Sequence, residues 1–182
     1  MDFFTTDKWN ETLWKKAKGI YLDAFGDKGG KPEKIIKNMF SKGICNLHVW
    51  VEADSAVAMA LTGRVQRTPI LLIDYLAVRR ELQGKGIGLL CVGKLKEWAL
   101  SMKFEGILLE AESEETPDNL ARIRFWKKGG FEILDDYTHH YIWVPEPYKA
   151  MWHPLKADTV PMNGGREAFG YITAFHKESF RK

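Results

Sequence analysis

A chain of 182 residues is one domain's worth of sequence, long enough for a real core. Its 45% hydrophobic and 28% charged residues fit a soluble globular protein, and a formal net charge of +3 is too small to argue for a nucleic-acid partner. The only cysteines, Cys45 and Cys91, sit in apolar periodic segments, which argues against a disulfide framework and for buried reduced thiols.

The first thirty residues carry Asp2, Asp7, Glu11 and Asp23 and no apolar h-region, so no signal peptide is expected. No run approaches a membrane span, so no membrane association is expected and a cytoplasmic location is the default. Residues 1–6 offer a short edge strand. From Trp9 to Phe25 the apolar residues Leu13, Trp14, Ala17, Ile20, Tyr21, Ala24 and Phe25 recur at helical spacing, with Asp7 as N-cap and Gly26 as stop. Gly26-Asp27-Lys28-Gly29-Gly30-Lys31 reads as a flexible solvated loop, because no strand leads into its glycines as a phosphate site would need. Pro32 opens a second helix to about Lys42, with Ile35, Ile36, Met39 and Phe40 on its buried side. Ile44–Ala53 and Ala56–Val65 read as strands joined at Asp54-Ser55, and Thr68-Pro69 leads into a third, so an antiparallel meander is expected.

The third strand begins the most informative stretch, residues 70–100. Ile70 to Val78 is an almost unbroken apolar run, suited to a strand buried on both faces. The charged turn Arg79-Arg80-Glu81-Leu82 follows, then Gln83-Gly84-Lys85-Gly86-Ile87-Gly88. Beyond the glycines, Ile87, Leu90, Cys91, Leu95 and Trp98 mark an amphipathic helix. Strand, glycine turn and helix together make an anion site: glycines let main-chain N–H groups point inward, and the helix start adds free donors and a positive dipole end. Lys85, Arg79 and Arg80 add positive charge, so the expected guest is a phosphate or pyrophosphate. The spacing fits neither G-x-G-x-x-G nor G-x-x-x-x-G-K-[ST].

Gly106–Glu112 is a further buried strand, reached through the helix and so parallel to Ile70–Val78 by a right-handed crossover. Ser113–Thr116 is an acidic turn. Thr116 caps the next helix, Pro117 takes its first position, and Gly129-Gly130 ends it after Lys128. Phe131–Leu134 and about His139–Val144 read as strands, Ala150–Leu155 as one that pairs back, and residues 156–165 as a polar linker. A last helix, about Arg166 to Ser179, carries Phe169, Ile172 and Phe175 on one side. It docks on its own domain or on a partner subunit, the second case implying a homodimer.

Gln83-x-x-Gly86-x-Gly88, directly after a strand ending Leu76-Ala77-Val78, resembles the pyrophosphate-binding motif of the GNAT superfamily of acyl-CoA-dependent N-acyltransferases. Residues 119–131 carry a second resemblance, in which Asn119, Phe125, Gly130 and Phe131 match the family's Asn, Phe and Gly-Phe positions. The order of elements resembles the whole GNAT fold over about residues 9–155. The resemblance implies an α+β fold: a mixed, mostly antiparallel sheet with a splayed parallel pair, flanked by helices, with an extra C-terminal helix. It divides the chain into an acetyltransferase domain at 1–157 and a linker and helix at 158–182, the helix being dispensable for the cofactor site. Acetyl-CoA is the implied co-substrate, with no metal. Its pantetheine arm would enter the splay against main-chain groups of Leu76, Ala77 and Val78, and its pyrophosphate would lie on Gln83, Gly84, Lys85, Gly86, Ile87 and Gly88. Asn119 and Phe125 would line the arm. A bulge is expected in the strand, with the N–H of Leu76 polarising the thioester carbonyl.

The departure from the family is Trp126, which stands where a tyrosine usually serves as general acid; indole cannot donate that proton. A thiol leaving group with a pKa of about 8.5 needs little help, and Tyr75, Tyr137 and Tyr141 are alternative donors. The attacking amine, with a pKa of about 10.4, needs a base. Asp74 interrupts an apolar strand and, if pairing is regular, shares a face with Leu76; Glu110 and Glu112 are the other carboxylates. Each of the three also reads as a structural carboxylate. Arg122 and Arg124 are within reach of CoA phosphates. His139 and His140, being adjacent, point to opposite faces and make a poor metal pair. No cysteine or serine has a nucleophile's context. The resemblance thus implies an N-acetyltransferase acting on a primary amine, small molecule or peptide, by direct attack. The competing readings are a non-catalytic acyl-CoA sensor of the same fold and a nucleotide-binding protein.

Overall fold

Apolar runs without a helical stripe become strands and striped segments become helices across all 182 residues of the computed structural model. In chain order the elements are β1 (Asp2–Thr6), α1 (Glu11–Phe25), α2 (Glu33–Ser41), β2 (Cys45–Glu52), β3 (Ser55–Arg64), β4 (Ile70–Val78), α3 (Ile87–Ser101), β5 (Gly106–Glu112), α4 (Pro117–Lys128), β6 (Glu132–His140), β7 (Pro147–Pro154) and α5 (Gly164–Phe180). They build one 7-stranded sheet in the order β1-β2-β3-β4-β5-β7-β6. Only β4 and β5 are parallel; all other neighbours are antiparallel. The expected α+β architecture, with its meander, crossover helix and single parallel pair, is what forms.

Local boundaries differ where capping chemistry decides them. Asn10, not Asp7, caps α1, its side chain accepting the Leu13 N–H at 2.9 Å. Thr116 caps α4 as read, accepting from Asn119 at 3.2 Å, with Pro117 in the first turn. The apolar stripe of α3 runs through Cys91, Val92, Leu95 and Ala99, while Leu90 faces solvent. Tyr141–Val144 is not strand: β6 stops at His140, which pairs with Pro147 of the returning strand, so the residues between them form the turn that reverses the chain and leaves Ile142 and Trp143 exposed. β7 begins earlier than expected, at Pro147, and inserts between β5 and β6.

The sheet has an apolar layer on each face. Trp14, Ile36, Met39, Leu47, Leu61, Leu72 and Leu108 pack with α1, α2 and α5 on one side. Leu71, Ile107, Leu109, Trp126 and Phe131 pack with α3 and α4 on the other. Ala168, Phe169, Ile172 and Phe175 of α5 are all buried in the first layer, so α5 belongs to this chain's own core. The glycines at 164 and 165 start that helix rather than ending a linker, and Asp136 of β6 accepts the Gly165 N–H at 2.9 Å. Burying three side chains of this size contributes roughly 5–9 kcal/mol, which argues against treating α5 as a dispensable appendage. On β2, between β1 and β3, fully buried His48 bonds Thr5 at 2.7 Å and Thr62 at 2.9 Å. No helix is long and apolar enough to cross a membrane.

Candidate active site

β4 ends at Val78 and gives way to a short 3₁₀ turn, Arg80–Leu82. Gln83 then folds back, its Nε2 donating to the Val78 carbonyl at 3.0 Å and closing the turn. Gly86 stands at the N-cap of α3 with φ +81°, a left-handed conformation that disfavours any side chain. No side chain caps α3, and no acidic residue lies in its first turn, so its leading N–H groups remain available to an external anion. Gly88 answers a different need: a Cβ there would lie 2.8 Å from the Phe125 ring. The α3 start therefore rests directly on α4.

Beyond this turn the sheet opens. β4 and β5 pair only at Ile70–Gly106, Leu71–Ile107 and Leu72–Leu108. Past Leu72, β4 stays bonded to β3 as far as Val78, and β5 stays bonded to β7 as far as Glu112. Their facing edges therefore carry N–H and C=O groups without a strand partner. Leu61 pairs with Tyr75 but Thr62 with Ile73, so Asp74 is the extra residue of a β-bulge. The bulge turns both Asp74 and Tyr75 toward the α1/α5 layer, whereas Leu76 packs on the α3/α4 side. Asp74 and Leu76 do not share a face, because the pairing between them is not regular. The Asp74 side chain is 2% exposed although the residue as a whole is half-buried, so what is open there is main chain.

On the α1/α5 side of the opening lies a connected set of polar groups. The Lys31 ammonium donates to both oxygens of Asp74, each at 2.7 Å, and stands 3.2 Å from His176 Nδ1. The rings of Tyr75 and Phe175 flank it at 5.1 and 5.6 Å. His176 Nε2 lies 2.8 Å from Glu110 Oε1, and the Tyr141 hydroxyl donates to Glu110 Oε2 at 2.7 Å. Lys31 is fixed by its main chain as well, its N–H donating to the Tyr75 hydroxyl and its carbonyl accepting from Tyr21. Burial, and then the Asp74 charge, push the Tyr75 phenol up; burial, and then Glu110, do the same to Tyr141. Both therefore stay protonated at neutral pH.

A sequence profile of the acetyltransferase (GNAT) family matches residues 10–131, from the cap of α1 to the end of the α4 turn. The chain belongs to that family. No curated protein sequence matches it. Among solved structures, a GNAT-family protein of Bacteroides thetaiotaomicron superposes with a TM-score of 0.75 at 15% identity, covering 97% of each chain. The ribosomal-protein-S18-alanine N-acetyltransferase of Escherichia coli gives 0.64 at 16% identity, over 88% of this chain and all of its own. An aminoglycoside 6'-N-acetyltransferase complexed with coenzyme A gives 0.67 at 16% identity, over 89% and 99%. At such identities the likeness is one of fold.

The expected cofactor residues of this GNAT acetyltransferase gather along one path. Leu76, Ala77 and Val78 lie on the open strand, and Gln83, Gly84, Lys85, Gly86, Ile87 and Gly88 form the turn above it. Phe125 packs beneath Gly88 as a support. Asn119 is buried and already engaged, its Nδ2 donating to the Glu114 carbonyl at 3.1 Å and its Oδ1 accepting from Arg122 at 3.3 Å. Arg122 also approaches Glu112, at 3.9 Å, and Arg124 is exposed on α4. Trp126 is buried against Phe125 and Phe131 and takes no part in the opening. Tyr137 bonds His139, which is half-buried and stacked on Phe169 rather than on the surface; His140 is exposed. Burial raises both thiols, Cys91 to about 12, which leaves no thiolate nucleophile.

Two members of this polar set lie outside the residues that the sequence singles out. Lys31 belongs to a segment that reads as solvated loop, yet it is 4% exposed and sealed against Asp74. His176 continues the buried stripe of α5, lying seven residues after Phe169 and four after Ile172, so helical periodicity held the signal for it. Lys31 left no such trace, because nothing local to its loop says which way it points. Tyr148 also joins this side, on β7 opposite Glu112, its phenol pushed up to about 12 by burial and then by the Glu112 and Glu110 charges.

Proposed function

We propose that the protein is an N-acetyltransferase that passes the acetyl group of acetyl-CoA directly to a primary amine. The observation that carries this reading is the coincidence of an uncapped, glycine-built helix start with a parallel strand pair that separates after Leu72. The turn accommodates a pyrophosphate, and the separated edges accommodate an extended pantetheine arm. The N–H of Leu76, just beyond the bulge, is assigned to the developing oxyanion. Related structures with coenzyme A bound support the same co-substrate. The cytoplasm, where acyl-CoA is drawn upon, is the fitting location.

The base is better assigned to Glu110 than to Asp74. Both Asp74 oxygens are engaged by an ammonium in a pair with almost no solvent contact, so that carboxylate cannot easily receive a proton. Glu110 is 20% exposed, and each oxygen accepts a single hydrogen bond, which leaves lone pairs for a substrate proton. The amine nitrogen, having lost its proton to Glu110 directly or through water, attacks the thioester carbon. The carbon–sulfur bond then breaks, the electron pair leaves on sulfur as a thiolate, and the nitrogen's remaining extra proton passes to that thiolate or to water, leaving the neutral amide. With a thiol pKa of about 8.5, departure needs no dedicated acid, which is consistent with the buried Trp126. Glu110 and Glu112 leave a negative balance on this side, which favours a cationic acceptor, small molecule or peptide.

The test is acetyl-CoA-dependent thiol release over a panel of amines, polyamines, amino acids and peptides, with Glu110→Gln beside the wild type. Glu110→Gln should lower kcat by about 10²–10⁴ at unchanged CoA affinity. Tight CoA binding with no turnover of any amine would overturn the catalytic reading.

A further inference from the structure

We infer that His176, on a helix beyond the matched family profile, is a positioning residue for acyl transfer: it holds the Glu110 carboxylate and links it through Lys31 to the loop between α1 and α2. The inference rests on the reading of Glu110 as base. Its core is a proton count. An ammonium only donates, and two of the three Lys31 hydrogens go to Asp74. The third meets His176 Nδ1 at 3.2 Å, so Nδ1 must be the bare, accepting nitrogen. The ring proton therefore sits on Nε2, and the 2.8 Å contact is a donation to Glu110 Oε1.

Every neighbouring element contributes a group to this tautomer. The loop between α1 and α2 supplies Lys31, β4 supplies Asp74 with Oδ1 4.0 Å from Nδ1, and β5 supplies Glu110. Tyr141 meets the ring edge-on at 6.3 Å after β6, and His139 adds a like charge when protonated. Moving the ring proton to Nδ1 would aim an N–H at the Lys31 ammonium and a bare nitrogen at a carboxylate, losing two bonds at once. With His176 on Oε1 and Tyr141 on Oε2, the carboxylate plane is fixed and its remaining lone pairs have defined directions. The arrangement also couples the base to Lys31, and through the Tyr75 and Tyr21 hydroxyls to the loop that carries it.

The experiment compares His176→Phe, His176→Gln, His176→Asn and Glu110→Gln in the full chain, with CoA affinity, thermal unfolding and pH–kcat/KM profiles on one acceptor. The phenyl ring keeps the packing but cannot donate; the Gln amide reaches the Nε2 position, and the shorter Asn amide does not. His176→Phe should lose roughly ten- to a hundredfold in kcat/KM, the scale of a hydrogen bond to a charged group. CoA affinity should stay at the wild-type value. Gln should recover most of the rate and Asn should not; if Phe fails to fold, the Gln–Asn difference decides. Imidazole ¹⁵N spectra of the wild type should report the ring proton on Nε2, with Nδ1 bare where it meets Lys31. A folded His176→Phe with wild-type kcat/KM, equal Gln and Asn rates, loss of CoA binding in His176→Phe, or a proton on Nδ1 overturns the inference. If Glu110→Gln is itself fully active, the base reading fails instead.

Discussion

The Lys31–Asp74 pair offers the sharpest energetic test. Its two side chains are 3% and 2% exposed, so Lys31→Met would leave a carboxylate buried with no cation. Removing one partner of such a pair costs about 3–5 kcal/mol. Domains of this size shift by about 2–4 °C per kcal/mol, so the melting temperature should fall by roughly 6–20 °C. A second variant separates this penalty from the worth of the pair. Lys31→Met with Asp74→Leu replaces both charges by apolar groups in a site already flanked by Tyr75 and Phe175, and it should recover most or all of the loss. Urea unfolding of the wild type and both variants measures the three stabilities. A Lys31→Met protein within about 1 kcal/mol of wild type would refute the reasoning, because Asp74 would then be solvated rather than sealed. The same proteins test the chemistry: the double variant should still turn over, since Glu110 remains. A folded, CoA-binding double variant without activity would show that Asp74 or the Lys31 contact to His176 is needed for turnover, and that Glu110 alone does not suffice.

Gly86→Glu puts a side chain at φ +81° and a negative charge at the start of α3. The backbone strain of about 1–3 kcal/mol should leave the protein folded, while CoA affinity by calorimetry should collapse; unchanged affinity would remove the pyrophosphate site. Truncation after residue 158 deletes Phe169, Ile172 and Phe175 from the core. The roughly 5–9 kcal/mol lost is comparable to a domain's whole stability, so circular dichroism should show an unfolded or molten chain, and a cooperative melt would contradict this. Burial lowers the His48 imidazole to about 3, so the folded state refuses a proton that the unfolded chain accepts at about 6.5. Stability is therefore full above that pH and should fall by about 1.4 kcal/mol per unit on acidification toward 3, with His139 and His153 adding in the same direction. A flat urea midpoint between pH 7 and 5.5 would show that these rings protonate freely in the fold.

What the sequence disclosed follows from which interactions are local. The glycine turn, its strand and its helix are consecutive, so spacing alone announces a main-chain anion site at Gln83–Gly88. The parallel pairing of β4 and β5 follows from the helix between them, and Thr116-Pro117 marks the start of α4 without tertiary help. The N-cap of α1 was misread because Asp7 and Asn10 are both capping residues, and only chain direction after β1 selects Asn10. The strand expected through Val144 stops at His140 because the register with β7 pairs His140 with Pro147 and makes Tyr141–Glu146 the connecting turn, a property of the pairing rather than of the local sequence. Asp74 stood out as a charge in an apolar run, but the bulge that turns it away from Leu76 is a property of its pairing with β3.

The two sides of the opening thus differ in how they are encoded. On the glycine-turn side, the groups are main-chain atoms and glycines of one contiguous segment, which is why a pattern of few residues suffices to name the family. On the α1/α5 side, Lys31, Asp74, Glu110, Tyr141 and His176 come from five separate elements and meet only when the sheet and α5 are assembled. No spacing rule links position 31 to position 176. The contiguous glycine turn is therefore legible from sequence, and the assembled polar set is not. The burial of α5 follows the same logic: a helix that supplies Phe175 to the core and His176 to Glu110 couples the folding of this chain to the placement of that carboxylate. A substitution that loosens α5 should therefore lower kcat on the acceptor before it weakens CoA binding, since the cofactor turn rests on α3 and α4 instead.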